Sequence, residues 1–115
     1  MGRWQYFTDE ELKGLQESTC QKLSVARGIA QTPFIITSGL RSEAENSSLP
    51  ESVKDSAHLT GNAVDLLCPD SSIRFFILKG LIQAGFTRIG IYSAHIHADD
   101  STKLPPYVCW YVKGE

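Results

Sequence analysis

The segment Ala63-Val64-Asp65-Leu66-Leu67-Cys68 is a compact apolar run broken by one acid and closed by Pro69-Asp70. Apolar residues bounded by turn formers read as a central strand. A carboxylate buried in such a strand is costly unless a cation or several donors compensate it. Any fold of this chain must therefore bring compensation to Asp65. Two stretches hold the means: Ser56-Ala57-His58-Leu59-Thr60-Gly61-Asn62 runs directly into the strand, and His95-Ile96-His97 follows about thirty residues later. Between them they contain all three histidines of the protein.

The other elements are built around that strand. The 115 residues are the size of one domain, and 1–115 is read as a single unit with one core. Thr8-Asp9-Glu10-Glu11 has capping-box spacing, which predicts a helix start at Thr8. Leu12, Leu15, Thr19, Leu23, Ala26 and Ala30 then recur at three- and four-residue steps until Pro33 stops the pattern. Phe34-Ile35-Ile36-Thr37 reads as a short buried strand delivering Gly39-Leu40-Arg41, and Ser42-Glu43-Ala44-Glu45 as a second capping box opening a short helix. The polar stretch through Asp55 is a surface loop.

Ser71 and Ser72 cap a further helix to about Ala84, with Ile73, Phe76, Ile77, Gly80 and Leu81 on one face and Gly85 at its end. Residues 86–92, 94–98 and 107–112 read as strands. Helices and strands are segregated and the last strands follow one another directly. The expected class is α+β, a small antiparallel or mixed sheet with helices mainly on one side.

Composition narrows the partners. A formal net charge of -2 argues against a broad basic surface, so nucleic acid is not expected, and a peptide or small molecule fits better. No apolar run approaches the roughly 20 residues needed to cross a bilayer, and no membrane partner is expected. Cys20, Cys68 and Cys109 are odd in number and widely spaced. They read as three buried small hydrophobes in a reduced compartment, with a Cys68 to Cys109 bridge as the alternative. The N-terminus carries no export-signal pattern.

The histidines and Asp65 suit a metal. Zinc is held by imidazole nitrogen and carboxylate oxygen, with about three protein ligands in a catalytic site, and His58, Asp65 and His97 can supply that set. Gly61 permits a turn that brings His58 back to Asp65. His95 and His97, two apart on a strand, share a face about 6 to 7 Å apart. One can bind a metal while the other handles protons. The plainer readings make Ser56-Ala57-His58 a helix cap and His95 an exposed strand residue. Arg41 offers a planar fork to a carboxylate or oxyanion, or else a salt bridge to Glu43 or Glu45. Asp70, Asp99 and Asp100 read most simply as turn residues, and Trp4, Tyr92, Trp110 and Tyr111 as core more readily than groove.

The pattern S-x-H-x-x-G-x-A-x-D is met by Ser56, His58, Gly61, Ala63 and Asp65, and is followed by the H-x-H of His95 and His97. With Ser38-Gly39-Leu40-Arg41 upstream, Gly90-Ile91-Tyr92 leading into His97-Ala98-Asp99, and Trp110 near the end, the chain resembles the M15 zinc peptidases over about residues 34–112. That family includes D-alanyl-D-alanine carboxypeptidases and dipeptidases, phage L-alanyl-D-glutamate endolysins and muramyl endopeptidases, and the hedgehog signalling domain is a structural relative.

The resemblance implies a hedgehog/DD-peptidase-like fold, Zn2+ held by His58, Asp65 and His97, Arg41 steadying substrate or transition-state charge, and Ser56 contacting substrate. It implies hydrolysis of peptide bonds in peptidoglycan stem or crosslink peptides by a zinc-activated water. Several members carry an acid three residues before the last ligand, where this chain has Ala94. His95 is then the first choice for the general base and Asp99 the second, the latter as base or as an orienting partner. The expectation is a monomeric enzyme made in the cytoplasm and acting at the cell wall, of a size suiting a phage-encoded lysis enzyme. The alternative is a non-catalytic zinc-binding module that recognises a peptide or partner protein.

Overall fold

A computed structural model describes residues 4–39 and 57–113. The predicted short helix at Ser42, the loop through Asp55, and two candidate site residues, Arg41 and Ser56, lie outside the described residues.

The Thr8 capping box forms. The Glu11 carboxylate accepts from the Thr8 amide at 2.8 Å, and the Thr8 hydroxyl accepts from the Glu11 amide at 3.1 Å. The helix predicted from it does not follow. Gly14 turns to φ 83, and the Gln16 amide donates to the Gly61 carbonyl at 2.9 Å instead of continuing a helical ladder. Helix α1 starts only at Glu17 and runs over Glu17–Ala30, burying Thr19, Cys20, Leu23, Ala26 and Ala30 along the predicted stripe.

Helix α2, Ser71–Ala84, is capped by Asp70, whose carboxylate accepts from the Ile73 amide at 2.9 Å. Asp70 therefore takes the role predicted for Ser71 or Ser72, which fall inside the first turn. Ile77, Gly80 and Leu81 are buried, whereas Phe76 is 46% exposed at the rim of the stripe, edge-on to Phe75. Gly80 lies so close to Ala26 and Ala30 that a side chain there would collide with α1, which explains the tight pairing of the two helices.

Five strands form one mixed sheet in the order β1-β2-β4-β3-β5: β1 Ile36–Ser38, β2 Ala63–Leu67, β3 Arg88–Ile91, β4 His95–Asp99 and β5 Val108–Tyr111. All neighbours are antiparallel except β3 and β5. The class is the predicted α+β. β1 stands at one end of this order, with Phe34 buried before it and Ile35 53% exposed, so the expected buried strand is instead a short, half-covered one.

Strand periodicity divides the sheet's two faces. Val64, Leu66, Ile89, Ile96 and Ala98 join Leu23, Ala26, Ile77 and Leu81 from the helices in one core. Full burial of each large aliphatic side chain there contributes roughly 1.5–3 kcal/mol. The opposite face carries Asp65, His97, Gly90 and Trp110 in one cross-strand row, set by the pairings Asp65 with His97, His97 with Gly90, and Gly90 with Trp110. Cys20 and Cys68 are buried as expected, but Cys109 is exposed on β5 and no bridge joins it to Cys68. Among the described residues, no helix is long and apolar enough to cross a membrane.

Candidate metal centre

His58 lies on a single 3-10 turn, Ala57–Thr60, immediately before β2. Gly61 ends that turn at φ 77, packed so closely on the Gly14 carbonyl that a side chain would clash. Both the angle and the approach require glycine. The Asn62 amide then closes on the Ala57 carbonyl at 3.1 Å, and the chain enters β2 with Asp65 at its centre. This is how residues seven apart reach one point.

Asp65 Oδ1 lies 3.3 Å from His58 Nε2 and 3.3 Å from His97 Nδ1. One donor atom from each of the three residues falls within a 4.8 Å span. Around a tetrahedral zinc with bonds of about 2.0–2.1 Å, neighbouring ligand atoms stand about 3.3 Å apart. The two separations from Asp65 match that spacing.

The remaining ring nitrogens are equally well placed. His58 Nδ1 lies 2.7 Å from the Gly39 carbonyl oxygen, which can only accept, so Nδ1 carries a proton and Nε2 is the nitrogen turned to the cluster. His97 Nε2 lies 2.6 Å from Asp99 Oδ2, so it donates outward and Nδ1 is the nitrogen turned to Asp65. Metal-bound histidines are held in this way, their second nitrogen donated to a carbonyl or carboxylate. His58 is 1% exposed, and the Asp65 and His97 side chains are 16% and 12% exposed.

The electrostatics agree with a site built for positive charge. Burial acts to raise the Asp65 pKa, but hydrogen bonds from His58 and His97 and their charge outweigh it and hold this carboxyl well below the usual range. Burial acts to lower the His97 pKa, and hydrogen bonds to Asp65 and Asp99, with their charges, raise it above the usual imidazole value.

His95 shares the strand face of His97 but is not among the three clustered donors. Its ring stacks on Tyr92 with centroids 4.3 Å apart, and the Tyr92 hydroxyl accepts from Trp110 Nε1 at 3.2 Å. Tyr92 and Trp110 thus border the cluster rather than filling the core, and Tyr111 is 67% exposed. Asp99 and Asp100, expected in turns, are 1% and 7% exposed and fully engaged. Asp99 holds His97 and Arg88, while Asp100 accepts from Thr19 at 2.6 Å, Ser18 at 2.8 Å and Lys22 at 3.0 Å.

Three contributors escape sequence reasoning. The Gly39 carbonyl is a backbone group whose side chain says nothing of it. Arg88 appears as one more strand residue. Gly90 carried the available signal, since a glycine inside a strand often marks a close approach: here the Trp110 indole lies over it.

Residues 4–99 match the sequence profile of the peptidase M15 family. Among solved structures, the fold is similar to the crystal structure of Serratia marcescens L-Ala D-Glu endopeptidase ChiX, with a TM-score of 0.62 and 19% sequence identity over 83% of this chain and 86% of that one. No curated protein is matched. The profile spans the whole stretch from the first turns to the end of β4, including all three clustered donors. The chain belongs to the peptidase M15 family.

Proposed function

We propose that this protein is a zinc peptidase that hydrolyses peptide bonds in peptidoglycan stem or crosslink peptides at the cell wall. The observation that carries the reading is the convergence of His58 Nε2, Asp65 Oδ1 and His97 Nδ1, with both outward imidazole nitrogens already donated to Gly39 and Asp99. The substrate class is supported by membership of the M15 family and by likeness to an L-Ala D-Glu endopeptidase.

Zinc, when bound, supplies Lewis acidity: it lowers the pKa of a water and polarises the scissile carbonyl. Everything else falls to the chain. His58, Asp65 and His97 would hold the ion, while Gly39 and Asp99 keep the two imidazoles turned toward Asp65. His95, on the same face of β4 and braced by Tyr92, takes the proton from the attacking water and returns it to the leaving amine. Asp99 is already committed to His97 and Arg88, a geometry that favours the orienting role over that of base. Arg41 steadies the developing oxyanion and Ser56 contacts substrate, as in the family pattern.

Ala94 stands where several M15 members carry an acid, and this favours a second reading, a zinc-binding module that recognises wall peptides without cleaving them. One assay separates the two. The purified chain, loaded with zinc, is incubated with peptidoglycan and released peptides are identified by mass spectrometry, with His95→Ala and Asp99→Ala in parallel. The peptidase reading expects defined peptide products, whose termini name the bond cleaved. A wild-type chain that holds one zinc and releases nothing sinks it.

A further inference from the structure

We propose that Arg88 is a positioning residue of this metal centre, a single guanidinium that bridges Asp99 to the Pro105 carbonyl and so fixes the orientation of His97. The inference rests on reading the His58, Asp65 and His97 cluster as a metal site. Arg88 stands directly opposite Asp99 in the β3 to β4 pairing. Its Nε lies 3.1 Å from Asp99 Oδ1 and donates to Oδ2 at 3.3 Å, while Nη1 donates to the Pro105 carbonyl at 2.6 Å. Asp99 in turn accepts from His97 Nε2 at 2.6 Å. The sequence of contacts therefore runs from the loop before β5, through Arg88 and Asp99, to the imidazole whose other nitrogen faces Asp65.

Two further contacts make the arrangement specific to a planar fork. The guanidinium lies 5.3 Å from the Trp110 ring, and that ring lies 5.4 Å from His97. Arg88 thus reaches His97 through the Asp99 carboxylate, with the indole packed beside both side chains. A guanidinium can face a carboxylate, a carbonyl and an aromatic ring at once because its donors are fixed in one plane, whereas an ammonium is a point charge. Asp99 is 1% exposed and Arg88 only 14%, so water replaces neither partner readily.

Charge and position make opposite predictions for zinc. Arg88 is a cation close to a site for a dication, so if only its charge mattered, neutralising it would tighten zinc binding. If it positions His97, neutralising it loosens zinc, and partners of this kind change metal affinity by about 10–100-fold.

The test measures zinc dissociation constants for the full chain by chelator competition, with thermal midpoints of the metal-free proteins alongside. The variants are Arg88→Gln, Arg88→Lys, Asp99→Asn and the double variant Arg88→Gln/Asp99→Asn. Positioning through Asp99 predicts that Arg88→Gln weakens zinc binding by about tenfold. It predicts that Arg88→Lys, which keeps the charge and is the variant that counts if Arg88→Gln does not fold, weakens it by several-fold. The double variant should bind little worse than Asp99→Asn alone. Zinc affinity unchanged or tightened in Arg88→Gln, wild-type affinity in Arg88→Lys, or fully multiplicative losses in the double variant would overturn the proposal, even if thermal midpoints fall. A wild-type chain that binds no zinc overturns the metal-centre reading itself and the role of Arg88 with it, an outcome distinct from a zinc-binding wild type indifferent to position 88.

Discussion

The Trp110 indole occupies the space that a side chain on Gly90 would fill: a Cβ built there meets three indole atoms at 2.5–2.6 Å. Through that gap the indole reaches its position beside His97 in the same cross-strand row. Gly90→Ala is therefore expected to push Trp110 off the sheet while leaving the helix-facing core intact, at a cost of about 1–3 kcal/mol. Because Trp4 and Trp110 are the two tryptophans of the chain, the displacement is readable as a shift in intrinsic fluorescence, with Trp4→Phe as the background to isolate it. An unchanged spectrum and thermal midpoint would show that the indole has room elsewhere.

His95→Ala should separate binding from chemistry. The ring is not one of the three clustered donors and packs on Tyr92, so zinc stoichiometry and affinity should stay near wild type. If His95 carries the proton, kcat for peptide release falls by about 10²–10⁴-fold, with KM little changed. Equal activity in the variant assigns the proton to another group.

Much of this arrangement was legible because it follows from periodicity and local chemistry. Asp65 in an apolar strand announced a compensating partner, and the two-residue step from His95 to His97 placed both on one face. What escaped depends on contacts distant in the sequence. The Thr8 capping box formed, yet Gly14 and the bond from Gln16 to Gly61 diverted the chain before α1 could start. Asp99 and Asp100 read as turn residues because their partners, Arg88 and His97 for one and Ser18, Thr19 and Lys22 for the other, are assembled by strand pairing and helix docking. Cys109 looked like a core residue until its strand fell at the end of the sheet order.

Asp65→Asn tests the ligand set without changing shape. The amide keeps the volume of the carboxylate but loses its charge between His58 and His97. Zinc binding should weaken by well over tenfold, since a ligand itself is lost and orienting partners alone are worth about 10–100-fold. Chelation of the wild type should abolish peptide release reversibly, with recovery on adding zinc. A chelated chain that retains full activity would rule out metal-assisted hydrolysis.

Asp100 ties α1 to the end of β4, and its contribution should depend on pH in a defined window. Burial acts to raise its pKa, but hydrogen bonds from Thr19, Lys22 and Ser18, with the Lys22 charge, lower it below the usual value of 3.8. A carboxyl whose folded pKa is depressed binds protons more readily when unfolded, so its stabilisation is complete above the unfolded pKa, about 3.9, and is lost as pH falls through the folded value. Asp100→Asn removes the charge that Lys22 and the two hydroxyls address, and should cost about 2–3 kcal/mol at neutral pH. Urea unfolding of both proteins from pH 7 to pH 2.5 should give a gap that is constant above about pH 5 and narrows below about pH 4. The Asp65 carboxyl is also held below the usual range but is common to both chains, so the difference isolates Asp100. A gap that does not change with pH would mean that Asp100 acts through hydrogen-bond geometry alone, with no part for its charge.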